Sequence, residues 1–136
     1  MTDPKYAKLF TPYTLNNGVT IKNRMVVAPM THWASNEDGT FSAEEQRFIG
    51  NRAQDFGMFI LAASLVLPEG KSFVGEPGVF GEQHLAGLQQ AAQTIKNQGA
   101  KAVIQLHHGG AKLAAALIGQ EAAAPSAVSE EDFQGR

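Results

Sequence analysis

The sequence predicts an α/β fold in which buried strands alternate with one-faced helices on a parallel sheet. Three observations predict it. Residues 24–29, 58–67 and 101–106 are short, nearly continuous apolar runs, the pattern of strands covered on both faces. The two segments between them carry helical periodicity. The strands recur at roughly 35–40 residues, the spacing of consecutive βαβ units.

Each element has a local reason. Asn17-Gly18 stands between alternating apolar and polar residues, and both tolerate positive φ, so a hairpin is expected over 13–21. Such a ribbon is marginal alone and is expected to plug the bottom of a larger core. The first strand is expected over about 25–29, where Pro29 removes a backbone donor and stops the ladder. Ser42 and Glu45 form a capping box that opens a helix over about 42–55, with Phe48 and Ile49 inward. Glu44, Glu45, Gln46 and Arg47 are assigned mostly to its solvated side, with Arg52 free to pair with a carboxylate. The second strand is expected over about 58–66, ended by Pro68, and the Gly/Pro-rich stretch to Gly81 is a candidate functional loop. A second helix over about 82–98 puts Leu85, Leu88, Ala92 and Ile95 on one stripe, with Gly99 as its stop. The third strand is expected over about 101–106 and runs into His107-His108-Gly109-Gly110.

Bulk properties bound the function. The 136 residues suffice for one domain, and 43% apolar with 18% charged residues suits a globular core. A net charge of −2 gives no basic footprint, so neither nucleic acid nor a membrane surface is an expected partner. With no cysteine there are no disulfides, thiolate metal sites or cysteine nucleophiles. No apolar run reaches the ~18 residues of a membrane span, and no signal peptide is evident, so a cytoplasmic protein is expected.

The strand ends carry the chemistry. A doubly wound dinucleotide fold wants a glycine-rich turn after its first strand, and Pro29-Met30-Thr31-His32-Trp33 has no glycine. A small independent nucleotide binder is disfavoured for the same reason. A (β/α)8 barrel instead gathers successive strand ends on one rim, here Met30-Thr31, Ala62-Ala63-Ser64 and Gln105-Leu106-His107-His108. The Gln105 amide both donates and accepts, which suits the imide-like edge of a planar heterocycle; satisfaction by neighbouring backbone is the alternative. Thr31 offers one hydroxyl to a ring atom or to a turn, and Trp33 either closes a pocket or packs. The adjacent His107 and His108 point to opposite faces of a strand, so no metal site is expected. Glu130, Glu131 and Asp132 read as solvated charge. Two helices cannot cover both faces of three apolar strands, so the chain reads as part of something larger.

A family likeness joins these pieces. Leu9-Phe10-Thr11-Pro12, residues 18–24, Ala28-Pro29-Met30-Thr31, residues 42–45, Arg52-Ala53, residues 105–110 and Ala124-Pro125-Ser126 occur in one order and register. Together they resemble the Old Yellow Enzyme family of NAD(P)H:flavin oxidoreductases. The resemblance implies the first three βα units of a (β/α)8 TIM barrel, preceded by the hairpin and incomplete in this chain. It implies FMN as cofactor and NADH or NADPH as reductant, with hydride passing through the flavin to an activated alkene such as an enone. Ala28, Pro29 and Met30 would pack on the isoalloxazine, and Thr31 would tune it through a hydrogen bond. Ala63 would approach through its backbone, Gln105 would bond the pyrimidine edge, and Trp33 would face the substrate.

Departures from the family pattern are Ala111 for a common arginine, Ala62 for a common acid and Trp33 for a common tyrosine. Length is the largest departure. The resemblance implies that the residues that anchor the substrate, donate the proton and bind the flavin phosphate would belong to later strands. The chain is therefore expected to be an amino-terminal portion, inactive alone, whose partner is the remaining barrel segment. The alternative is an inactive half-barrel that self-associates or binds another protein.

Overall fold

The computed structural model describes residues 3–112 and 115–126. The acidic end at Glu130–Asp132 lies outside the described residues. A 3-10 turn over Pro4–Phe10 leads into β1 (Tyr13–Thr14) and β2 (Thr20–Ile21). These pair antiparallel, Tyr13 with Ile21 and Thr14 with Thr20, and Gly18 takes φ +84° in the turn. Then come β3 (Val26–Val27), α1 (Ala43–Gly50), β4 (Met58–Leu65), α2 (Leu85–Asn97), β5 (Lys101–His107) and a short α3 (Ala115–Ile118). The three later strands form one parallel sheet in the order β3-β4-β5.

The core lies on one face of that sheet. Ile49 and Ala53 from the α1 side and Ala91 and Ile95 from α2 pack against Phe59, Leu61 and Ala100, with Val27 and Ala102 at the margin. Side-chain amides tie the two helices together, Gln46 donating to Gly87 O at 2.9 Å and Gln98 to Gly50 O at 2.9 Å. The opposite face is open. Val26 is exposed on it, and Ile104 and Leu106, which alternate onto the helix face with Ala102, are exposed too, so the strands expected to be covered on both faces are covered only in part.

Three local details differ from expectation. Helix α1 stops at Gly50, because Gly50 and Asn51 are weak helix formers and Asn51 leaves helical geometry. The remainder to Asp55 is a series of turns. The buried stripe of α2 runs through Ala91 and Ile95, while Leu85 at its first turn is exposed. Among the described residues Arg52 meets no carboxylate; its guanidinium lies 3.7 Å from the Phe48 ring centre and donates to Phe48 O.

The hairpin is tied to the amino-terminal edge of the sheet. Lys22 Nζ donates to Gln54 O and Gln98 O, which precede β4 and β5. Asn23 donates to Asp55 O and accepts from Met25 N. Gly57 crosses this junction so closely that a Cβ there would sit 2.3 Å from Asn23 O. The carboxyl-terminal edge is thereby left as the rim for chemistry.

Candidate functional site

Because β3, β4 and β5 are parallel, the segments that leave them emerge along one edge. Ala28, Met30, Thr31 and Trp33 follow β3 and are exposed, Met30 at 63% and Trp33 at 67%, with Pro29 half-buried. On β5, Ala102 packs toward the helices, so Val103, Gln105 and His107 alternate onto the open face. On β4, Phe59 and Leu61 face the helices, and strict alternation would send Ala63 the same way.

A bulge prevents that. The register slips between Ile60 and Ala63, so that Ile60 opposes Val103 but Ala63 opposes Gln105. The extra residue turns Ala63 onto the open face beside Gln105. A methyl group and an exposed amide are thus cross-strand neighbours. Among the described residues, the Gln105 amide makes no side-chain hydrogen bond.

The rim loops are held by buried charges. Ser42 caps α1, its hydroxyl accepting from Glu45 N at 3.1 Å. The Glu45 carboxylate does not reach back to complete the box, nor does it lie in solvent. It is 1% exposed, and Oε2 accepts from Ser35 Oγ at 2.7 Å. Its Oε1 lies 3.1 Å from His32 Nε2, ionic proximity without hydrogen-bond geometry. Glu45 therefore ties α1 to the loop that carries Thr31 and Trp33. Trp33 itself takes φ +46°, and its ring meets Phe73 edge-on at 6.3 Å. Gly75 backs it closely: a Cβ there would lie 2.5 Å from Trp33 C and O.

The stretch after β4 folds back onto its own strand. Leu65 N donates to Pro77 O and Val79 N to Leu65 O. This buries Glu76, which accepts from Ser72 N at 2.8 Å and from His107 Nδ1 at 2.6 Å. His108 follows the strand, and its ring packs against Gly70 at the start of the same loop. His84, also buried, places Nε2 3.0 Å from Asp38 O and Nδ1 3.1 Å from Gly81 N, and so fixes the Asp38 turn. Asp38 accepts from the Thr40 hydroxyl and amide, which hold its carboxyl below the usual range. Glu45, Glu76 and His84 were not singled out from the sequence as site supports. Their only signal was position, at a helix start or inside a loop rich in glycine.

This geometry has known counterparts. The model of the NADH:flavin oxidoreductase / NADH oxidase family matches residues 8–135. The chain belongs to that family. A probable NADH-dependent flavin oxidoreductase of Bacillus subtilis (strain 168), YqiG, is 50% identical over 119 residues, 88% of this chain and 32% of that protein. The structure of an old yellow enzyme homologue from Zymomonas mobilis superposes with a TM-score of 0.82 at 26% identity, covering 89% of this chain and 34% of the other. Morphinone reductase in complex with tetrahydroNAD gives 0.81 at 29% identity, covering 90% and 34%. The chain thus spans about a third of the length of these relatives. The open sheet is the beginning of the TIM barrel that the family forms.

Membership brings FMN as the family's cofactor and a nicotinamide nucleotide as its reductant. The residues present fit a planar, hydrogen-bonding ring. Ala63 presents only a methyl group beside the exposed Gln105 amide, and Thr31 is exposed on the same edge. Among the described residues there is no cluster of three potential metal ligands and no helix long and apolar enough to cross a membrane.

Proposed function

We propose that this chain is the amino-terminal portion of an FMN-dependent oxidoreductase that uses NADH or NADPH to reduce activated C=C bonds, as in an enone. One observation carries the reading: the β4 bulge sets Ala63 beside Gln105 on the open face, next to the exposed 28–31 segment. When bound, the flavin supplies a ring that accepts hydride and gives it up again.

The chain's own residues hold and tune that ring. Gln105 donates and accepts at its pyrimidine edge, a pairing its amide is built for. Ala63 lets the ring lie close to the β4 backbone. Ala28, Pro29 and Met30 cover one side of the ring and exclude water, and the Thr31 hydroxyl donates to its rim. Trp33, braced by Phe73, forms a wall for an apolar acceptor. The remaining barrel segment is the partner that completes the site, and this chain alone is inactive.

A colourless 136-residue chain and a yellow complete protein that reduces cinnamaldehyde at its C=C bond with NADH are the expected results. A complete protein that takes up no FMN would remove the reading. A second reading, a self-associating half-barrel, is favoured by the exposure of Ile104 and Leu106, at 42% and 69%. Size-exclusion chromatography of the chain separates the two: oligomers support it, and a stable monomer does not.

A further inference from the structure

Phe73 and Val74 form the apolar tip of the loop after β4, and Val74 is 69% exposed. Both flanks of that tip are pinned. Before it, Ser72 N donates to Glu76 Oε2 at 2.8 Å, and the other oxygen of this buried carboxylate accepts from His107 Nδ1 on β5. After it, Gly75 O accepts from Ser35 N at 3.2 Å and Pro77 O accepts from Leu65 N at 2.7 Å. The tip cannot fold inward without breaking these bonds, so its apolar groups are held at the surface.

Trp33 meets the tip in a strained conformation. Apart from glycines, it alone among the described residues takes positive φ, a region that bulky side chains rarely enter. Its ring meets Phe73 edge-on and is otherwise open to water. Strained backbone and exposed apolar groups on a fixed loop are features that collect at ligand sites. Residues 72–75 carry no charge, so the corner suits a flat apolar group. Trp33 is two residues past Thr31, which sets the corner on the same rim as Gln105. We infer that Phe73 and Val74, together with Trp33, form a specificity site that takes the non-reacting aryl substituent of the acceptor. The inference rests on the flavin reading above, since it needs an alkene bound at the rim. An edge-on aromatic pair can take a third ring against its free face, and the Val74 methyl groups add apolar area beside it.

The test uses the complete, FMN-loaded protein with cinnamaldehyde and crotonaldehyde, which share the reacting enal and differ in a phenyl for a methyl group. Two quantities are read for each: Kd from the perturbation of oxidised-flavin absorbance, and kcat/KM with NADH. The wild-type protein is expected to favour cinnamaldehyde in both. Phe73→Ala removes one ring of the corner, and its cinnamaldehyde-to-crotonaldehyde ratio should fall about tenfold. Val74→Asp changes an exposed side chain, which leaves folding intact, and places a charge against the phenyl group; its ratio should fall by a similar factor. Because each variant is scored on a ratio, partial loss of FMN or of folded protein cancels.

If both variants keep the wild-type ratio while holding FMN and reducing the enals, the inference is overturned and the flavin reading stands. A wild-type protein that reduces both enals without favouring cinnamaldehyde overturns it equally. Variants that keep the ratio but run as smaller oligomers than wild type would assign the tip to a contact between copies instead. If the wild-type protein binds no FMN, both readings fall together.

Discussion

The carboxylate of Glu45 lies 3.1 Å from Nε2 of His32, joining the first turn of α1 to the loop that leaves β3. Ser35 donates to the second oxygen of the same carboxylate. One buried acid therefore sets the path of the chain on which Thr31 and Trp33 are carried.

Glu45→Ala leaves the Ser35 hydroxyl and the His32 imidazole without their partner in a buried setting. A loss of about 3 kcal/mol is expected in urea unfolding. Glu45→Gln keeps an acceptor for Ser35 and should lose less. Equal stability of Glu45→Ala and wild type would show that the contact holds nothing.

Gly75→Ala adds a methyl group 2.5 Å from the Trp33 backbone at a residue with φ +72°. Strain and clash together are expected to cost about 2–4 kcal/mol. Trp33 is the one tryptophan of the chain, so its fluorescence reports the displacement directly. A shifted emission maximum in the folded variant is the expected sign.

Ile95 is fully buried between α2 and the sheet. Ile95→Ala should destabilise the fold by about 3 kcal/mol through lost burial and the cavity left behind. Thermal unfolding measures it, and a change under about 1 kcal/mol would mean the core does not sit where the structure puts it.

The Thr40 hydroxyl and amide lower the Asp38 pKa from its ordinary 3.8. A carboxyl depressed in the folded state adds stability above its unfolded pKa and loses it as pH falls through the folded one. The contribution of Asp38 is therefore full above about pH 4 and fades below it. Comparing urea midpoints of Asp38→Asn and wild type across that window should show the difference shrinking with acid.

The order of elements was legible because it depends on local signals: Asn17-Gly18, the Ser42 cap, Gly99 after α2 and three apolar runs. That residues 28–31 and Gln105 fall near strand ends was legible because the apolar runs marked the strands themselves. What escaped depends on partners distant in sequence. Glu45 has the sequence signature of an exposed capping acid, and only its contacts with Ser35 and His32 bury it. Glu76 sits in a loop whose fold-back onto Leu65 has no local marker. The bulge after Ile60 is likewise silent in the run Ile60-Leu61-Ala62-Ala63, yet it decides which way Ala63 faces.

The most direct measurement is FMN titration of the complete barrel, comparing wild type with Gln105→Leu and Ala63→Leu by flavin fluorescence. Gln105→Leu removes the amide from the ring edge, and Ala63→Leu fills the space beside it. Each is expected to weaken FMN binding about tenfold or more, with the fold retained by circular dichroism. Wild-type affinity in both variants would contradict the placement of the flavin against β4 and β5.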